Sequence, residues 1–75
     1  MKIEYDKKID ALYIKLIDLP YSESNEIEQG VIFDYDNSRK IIGIEILDAS
    51  KKVSSKIITS LIQKDHNRKL ATASF

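Results

Sequence analysis

The stretch Gly30-Val-Ile-Phe-Asp-Tyr-Asp-Asn-Ser-Arg-Lys-Ile-Ile-Gly-Ile-Glu-Ile-Leu47 decides the fold. Two runs of β-branched and aromatic residues, interleaved with charge, flank Asp36-Asn-Ser-Arg39. Such alternation at period two is how a half-buried strand reads. Asp and Asn tolerate left-handed backbone and bond their own main chain, so 36–39 reads as a turn. The spacing predicts a hairpin with strands over 31–35 and 40–47. Val31, Phe33 and Tyr35 share one face of the first strand. Ile42, Ile44 and Ile46 share one face of the second, opposite Ile41, Gly43, Glu45 and Leu47.

Upstream, Ala11-Leu-Tyr-Ile-Lys-Leu-Ile17 repeats the pattern, with Leu12, Ile14 and Leu16 opposing Ala11, Tyr13, Lys15 and Ile17. Pro20 cannot donate to a ladder, so this strand ends by about Asp18. Lys2–Tyr5 alternates as well and predicts a first strand, joined to the second through the polar connection 6–10. Residues 18–26 read as a loop rich in Ser, Asn and acid, followed by a short edge strand around Glu26–Gln29.

Downstream, the period changes from two to that of a helix. Ser54 or Ser55 suits an N-cap, and Ile57, Ile58, Leu61 and Ile62 recur at helical spacing, which predicts a helix over about 55–64. Asp48-Ala-Ser-Lys-Lys52 predicts a separate helical turn before it. Residues 70–75 carry no pattern and read as a loose tail. The chain reads as one α+β domain over 1–75: an antiparallel four- or five-stranded β-meander sheet, about 2–47, with one C-terminal helix packed on one face.

Seventy-five residues bury only about 60–65% of their unfolded surface, so such domains commonly need added support. The chain has no cysteine, so disulfides are excluded. A zinc site would have to rest on His66 and carboxylates, a poor ligand set. Dimerisation is the remaining common support. No apolar run approaches the length of a membrane span. Met1-Lys-Ile-Glu-Tyr-Asp6 carries acid where a signal peptide has its apolar core. A cytoplasmic protein is expected.

Net charge is zero, yet unevenly spread. Residues 1–48 hold 11 acids and 6 bases, net −5, while 49–75 hold 1 acid and 6 bases, net +5. An acidic body and a basic C-terminal segment follow. One sheet face is fully apolar, and the other mixes Tyr13, Ile17, Ile41 and Leu47 with charges. One short helix covers one face at most, so these four residues are expected to form an interaction surface. A homo-oligomer, specifically a dimer, is the expected state.

Met1-Lys-Ile-Glu-Tyr-Asp6, Asp10-Ala-Leu-Tyr-Ile-Lys-Leu16, Gly30-Val-Ile-Phe-Asp-Tyr-Asp36 and Gly43-Ile-Glu-Ile-Leu-Asp-Ala-Ser50 resemble the small prokaryotic domain-of-unknown-function family 2283. The resemblance covers roughly the first 53 residues, in order and at the expected separations. It implies a compact antiparallel sheet with helical material after Asp-Ala-Ser, and no established activity. Members look like stand-alone small proteins, some similar in style to antitoxins encoded beside small toxins. The resemblance carries over no catalytic residue.

Several constellations bear on chemistry. Asp34, Asp36, Ser38 and Glu45 fall at positions 1, 3, 5 and 12 of a calcium loop, but Arg39 stands where the sharp turn needs Gly, and strands flank the segment. The pairs Asp34 with Asp36 and Asp6 with Asp10 lie in turns or on a solvated face, where nothing raises a carboxyl pKa for acid–base work. His66 reads as a helix-end cation and Ser54 and Ser55 as helix-start residues rather than a catalytic pair. Tyr5, Tyr13 and Tyr35 could stack bases, though on strands such residues more often pack across the sheet. Lys51, Lys52, Lys56, Lys64, Arg68 and Lys69 form a basic patch suited to nucleic acid or an acidic partner, against which the whole-chain pI of about 6.6 weighs. The reading is a non-enzymatic protein-interaction module without metal or cofactor, an antitoxin-like partner protein. The alternative is a nucleic-acid-binding regulator that uses the basic segment.

Overall fold

A computed structural model of the chain describes residues 1–71, with side chains over 1–63. Strands β1 (Lys2–Asp6), β2 (Ala11–Lys15), β3 (Glu23–Glu28), β4 (Val31–Tyr35) and β5 (Ile41–Leu47) precede helices α1 (Ala49–Lys52) and α2 (Ser55–Ala71). The strands form one sheet in the order β1-β2-β5-β4-β3, with every neighbouring pair antiparallel. The fold is α+β. β1 and β2 make one hairpin, and β3, β4 and β5 make a meander that returns β5 to the side of β2.

The turns are built where the backbone is left-handed. Asp10, Arg39 and Asp48 have φ of 54°, 66° and 51°, and Gly30 has φ of 75°. Aspartate visits this region more readily than most residues. The 36–40 turn is tied by Asp36, whose Oδ1 accepts the amides of Ser38 (2.8 Å) and Lys40 (2.9 Å). β2 does not stop at Lys15 in effect, because the amides of Leu16 (2.9 Å) and Ile17 (3.3 Å) both donate to the carbonyl of Ile42. Ile42 is the extra residue where the β4–β5 register shifts. The chain then runs past the ends of β5 and β4, and Ser22 donates to Tyr35 to begin β3.

Edge strand β3 is longer than alternation predicts and starts three residues earlier. Glu-Ser-Asn-Glu-Ile-Glu has no apolar stripe, and all six residues are exposed. Backbone pairing to β4 holds it rather than burial.

One face of the sheet carries Ile3, Tyr5, Leu12, Ile14, Ile44, Ile46, Val31 and Phe33, as the pairings Ile3↔Ile14, Tyr5↔Leu12, Leu12↔Ile46 and Phe33↔Ile44 require. The core lies on this face: Ile3, Leu12, Ala49 and Ile58 are buried, with Tyr5, Ile14, Ile46, Val53 and Leu61 packed around them. Both helices therefore cover the β1–β2 side of this face. Ser54 caps α2, its Oγ accepting the Ile57 amide at 3.2 Å. α2 continues to Ala71, past the expected end at 64 and through Leu70 of the expected tail. Residues 65–69 offer no further apolar repeat, so the helix there lacks the stripe by which its first part was read. The rest of the expected tail, 72–75, lies outside the described residues.

Asp10 fastens the helical turn to the first hairpin. Its carboxylate accepts the Tyr5 hydroxyl (2.6 Å), the Ser50 hydroxyl (2.7 Å) and the Ser50 amide (3.0 Å). Its carbonyl accepts the Ala49 amide at 2.9 Å. These donors hold the Asp10 carboxyl below its ordinary range, the Tyr5 hydroxyl contributing most, and the same bond holds the Tyr5 phenol above its own.

Candidate functional site

The helices leave the opposite face of the sheet open. Alternation and pairing place Glu4, Tyr13, Glu45, Ile32 and Glu26 side by side in one row across all five strands. The row alternates acid, aromatic, acid, aliphatic, acid. The next row reads Lys2, Lys15, Gly43, Asp34 and Ser24. Ala11 and Leu47 pair beyond Tyr13, and Leu47 is exposed.

Tyr13 is the anchor of this face. Its hydroxyl donates to Asp34 Oδ2 at 3.1 Å, reaching from β2 across β5 to β4. Gly43 lies beneath: a Cβ there would stand 2.5 Å from the Tyr13 hydroxyl oxygen, 3.1 Å from its Cζ and 3.3 Å from Asp34 Oδ2. The missing side chain lets the ring lie over the strand. The other Asp34 oxygen, Oδ1, accepts the Ser24 hydroxyl at 2.6 Å, and Ser24 Oγ in turn meets the Tyr21 hydroxyl at 2.9 Å. One chain of hydrogen bonds thus ties the β2–β3 loop, β3, β4 and β2 together. Partial burial raises the Tyr13 phenol pKa, followed by the Asp34 hydrogen bond and the charges of Asp34, Glu45 and Glu4. Tyr13 stays a neutral donor among carboxylates.

Of the four residues expected to form an interaction surface, Tyr13 and Leu47 lie on this open face. Ile17 follows the end of β2 and is 45% exposed. Ile41 pairs with Tyr35 because of the extra residue at Ile42, which takes it out of the open-face rows. Periodicity sets Ile32 and Asp34 opposite Val31 and Phe33 but does not bring Ile32 beside Glu45 and Tyr13, and it misses Glu26 and the Ser24–Tyr21 extension. The row becomes readable only once the strand order is known.

The other candidates disperse. Asp36 serves its own turn, Arg39 lies 3.8 Å from Glu23, and Asp34 is occupied by Tyr13 and Ser24. Asp6 accepts the Lys8 amide at 2.9 Å, while Asp10 binds Tyr5 and Ser50, so the pair brackets the hairpin loop. Among the described residues no three Asp, Glu, His or Cys side chains gather as a metal site would need. Tyr5 lies on the helix-covered face and Tyr13 on the open one, so they form no common stacking platform. In the basic patch, Lys51 and Lys56 are exposed, and Lys52 donates to the Leu47 carbonyl at 2.7 Å. Lys64, Arg68 and Lys69 stand on α2, and His66 stands among them; their side chains lie outside the described ones. A groove of about 420 Å³ runs beside α2, lined by Tyr5, Lys7, Ser50, Ser55, Ile58, Thr59 and Ile62. Among the described residues its walls carry neither a carboxylate nor an imidazole. No described helix is long and apolar enough to cross a membrane.

Neither a curated protein nor a solved structure matches the chain. A family model does, over residues 2–50, which run from the start of β1 to the Ser50 that Asp10 grips. The chain belongs to the family of proteins of unknown function DUF2283.

Proposed function

We propose that this protein is a non-enzymatic protein-interaction module, an antitoxin-like partner protein, and that the open face of its sheet is the contact surface. The observation that carries the reading is the row Glu4–Tyr13–Glu45–Ile32–Glu26, with Tyr13 fixed over Gly43 by Asp34. An aromatic side chain already held in place loses little entropy on docking, and such residues dominate interface energetics. The Asp10 carboxyl, held low by Tyr5 and Ser50, is ill suited to general-acid work, which needs it raised.

The test is affinity capture of the tagged protein from its host lysate, with mass spectrometry, in parallel for the native chain and for Ile32→Lys. Ile32 lies on the open face and only partly buried, and circular dichroism checks that the variant folds. A stoichiometric protein retained by the native chain and lost by the variant supports the reading. Identical capture by both sinks it.

A nucleic-acid-binding regulator is the second reading, favoured by the exposure of Lys51 and Lys56 on the helical side, away from the acidic face. It predicts binding that falls steeply with salt and weakens when Lys51 and Lys56 are neutralised.

A further inference from the structure

We infer that the open face docks the basic helical segment of a second copy of this chain. This rests on the open face being a contact surface and names its occupant. The charges required are divided within the chain itself: net −5 over residues 1–48, which include the whole sheet, and net +5 over 49–75, which include both helices. Within one protomer the helices pack on the other side of the sheet. They cannot lie on their own open face, so the complement is available only in trans.

The two surfaces also match in pattern and length. The row alternates three carboxylates with Tyr13 and Ile32, and strand spacing puts about 19 Å between its ends. On α2, Lys56 is exposed beside Ile57, which is 52% exposed and plays no part in the core. The helix from Lys56 to Arg68 covers about 18 Å at 1.5 Å per residue. No acid occupies its first turn. Docking would place cations against Glu45, and against Glu4 and Glu26, which already meet Lys2 (3.7 Å) and the Gly30 amide (2.8 Å), and an isoleucine against Tyr13 and Ile32. Among the described residues neither Glu45 nor Lys56 has an ion pair of its own, so neither must break one to dock.

The experiment is light scattering of the full chain after size exclusion, with charge reversals on each side. At about 0.1 M salt the mass is expected at twice the monomer's 8.6 kDa or more, and at about 1 M salt it should fall towards the monomer, as screened ion pairs do. Glu45→Lys alone and Lys56→Glu alone should each weaken association roughly tenfold or more, because each brings like charges together. The double variant should regain it. A chain that stays monomeric at low salt overturns the inference, as does an oligomer indifferent to both reversals. A monomer whose captured foreign partner is lost in Ile32→Lys overturns self-docking while leaving the open-face reading intact.

Discussion

Gly43→Ala isolates what the open face depends on. The added Cβ would stand 2.5 Å from the Tyr13 hydroxyl oxygen, closer than such atoms approach, and 3.1 Å from Cζ. The hydroxyl is the far end of a side chain and can swing away, so the backbone holds and the Tyr13–Asp34 bond breaks. A hydrogen bond to a charged group contributes about 1.5–3 kcal/mol when well sheltered. This one is partly exposed, so about 1–1.5 kcal/mol is a fair discount. Displacing the ring from the sheet adds about 0.5 kcal/mol in lost packing. Replacing glycine in a strand returns about 0.5–1 kcal/mol of backbone entropy. The net is about 1 kcal/mol of destabilisation, a fall in Tm of about 4–8 °C for a domain this size. Urea denaturation of Gly43→Ala, Tyr13→Phe and the double variant reads it as a double-mutant cycle. In the Tyr13→Phe background the 2.5 Å contact and the hydrogen bond are both gone and only the 3.1 Å contact with Cζ remains, so the alanine cost should shrink towards zero. An alanine cost unchanged in that background would refute the reasoning. Ultraviolet titration gives an independent check, since the raised Tyr13 pKa should drop towards 10.0 in Gly43→Ala.

Two further outcomes follow from the core and the first turn. The Asp10 carboxyl is held below its ordinary value of 3.8, so its contribution to stability is present above that pH and is lost as pH falls through the lower folded value. Asp10→Asn should flatten the acid limb of a stability-versus-pH curve below pH 3.8, read by urea midpoints; an unchanged limb would show that the Tyr5 and Ser50 bonds do not favour the charged form. Leu12 is 1% exposed at the centre of the core, so Leu12→Ala should cost about 2–5 kcal/mol by transfer and cavity terms. Against a total of about 4–11 kcal/mol for 75 residues, that removes a large share of the stability, read as a lowered urea midpoint by circular dichroism; an unchanged midpoint would show that Leu12 does not centre the core.

Much of this fold is legible because its signals are local. Alternation in 11–17, 31–35 and 40–47 marks strands and sorts their faces except at Ile41, which the extra residue at Ile42 removes from its row, and Ser54 marks the start of α2. Alternation makes β3 shorter than it is because Glu23–Glu28 has no apolar stripe; its order comes from the ladder to β4 and from Ser24 reaching Asp34. The far end of α2 escaped for the same reason. The candidate site was half legible. Tyr13 and Leu47 could be placed on the mixed face, but their neighbours could not. Row membership depends on β5 lying beside β2, and no periodicity carries strand order. The Asp10 motif and the Asp48-Ala-Ser50 motif stood out as a resemblance and nothing more. Their physical sense appears only when residues 10 and 50 meet.

The seam between β2 and β5 also sets how this chain reaches its structure. β1–β2 and β3–β4–β5 are each built from adjacent hairpins, which close in microseconds. The seam pairs Lys15 with Gly43 and Ala11 with Leu47, so it must close a far larger loop before any of its ladder forms. The seam is thus the long-range pairing that joins two hairpin-built halves, and pairings of that kind slow folding. Loop-closure entropy grows only logarithmically, at about 0.6 kcal/mol per doubling of length. The middle of the crossing, residues 18–20, lies between the bonds of Leu16 and Ile17 to Ile42 and of Ser22 to Tyr35, and can therefore accept inserted residues at little equilibrium cost. The same insertions leave each half's own hairpins untouched and slow only the encounter between them.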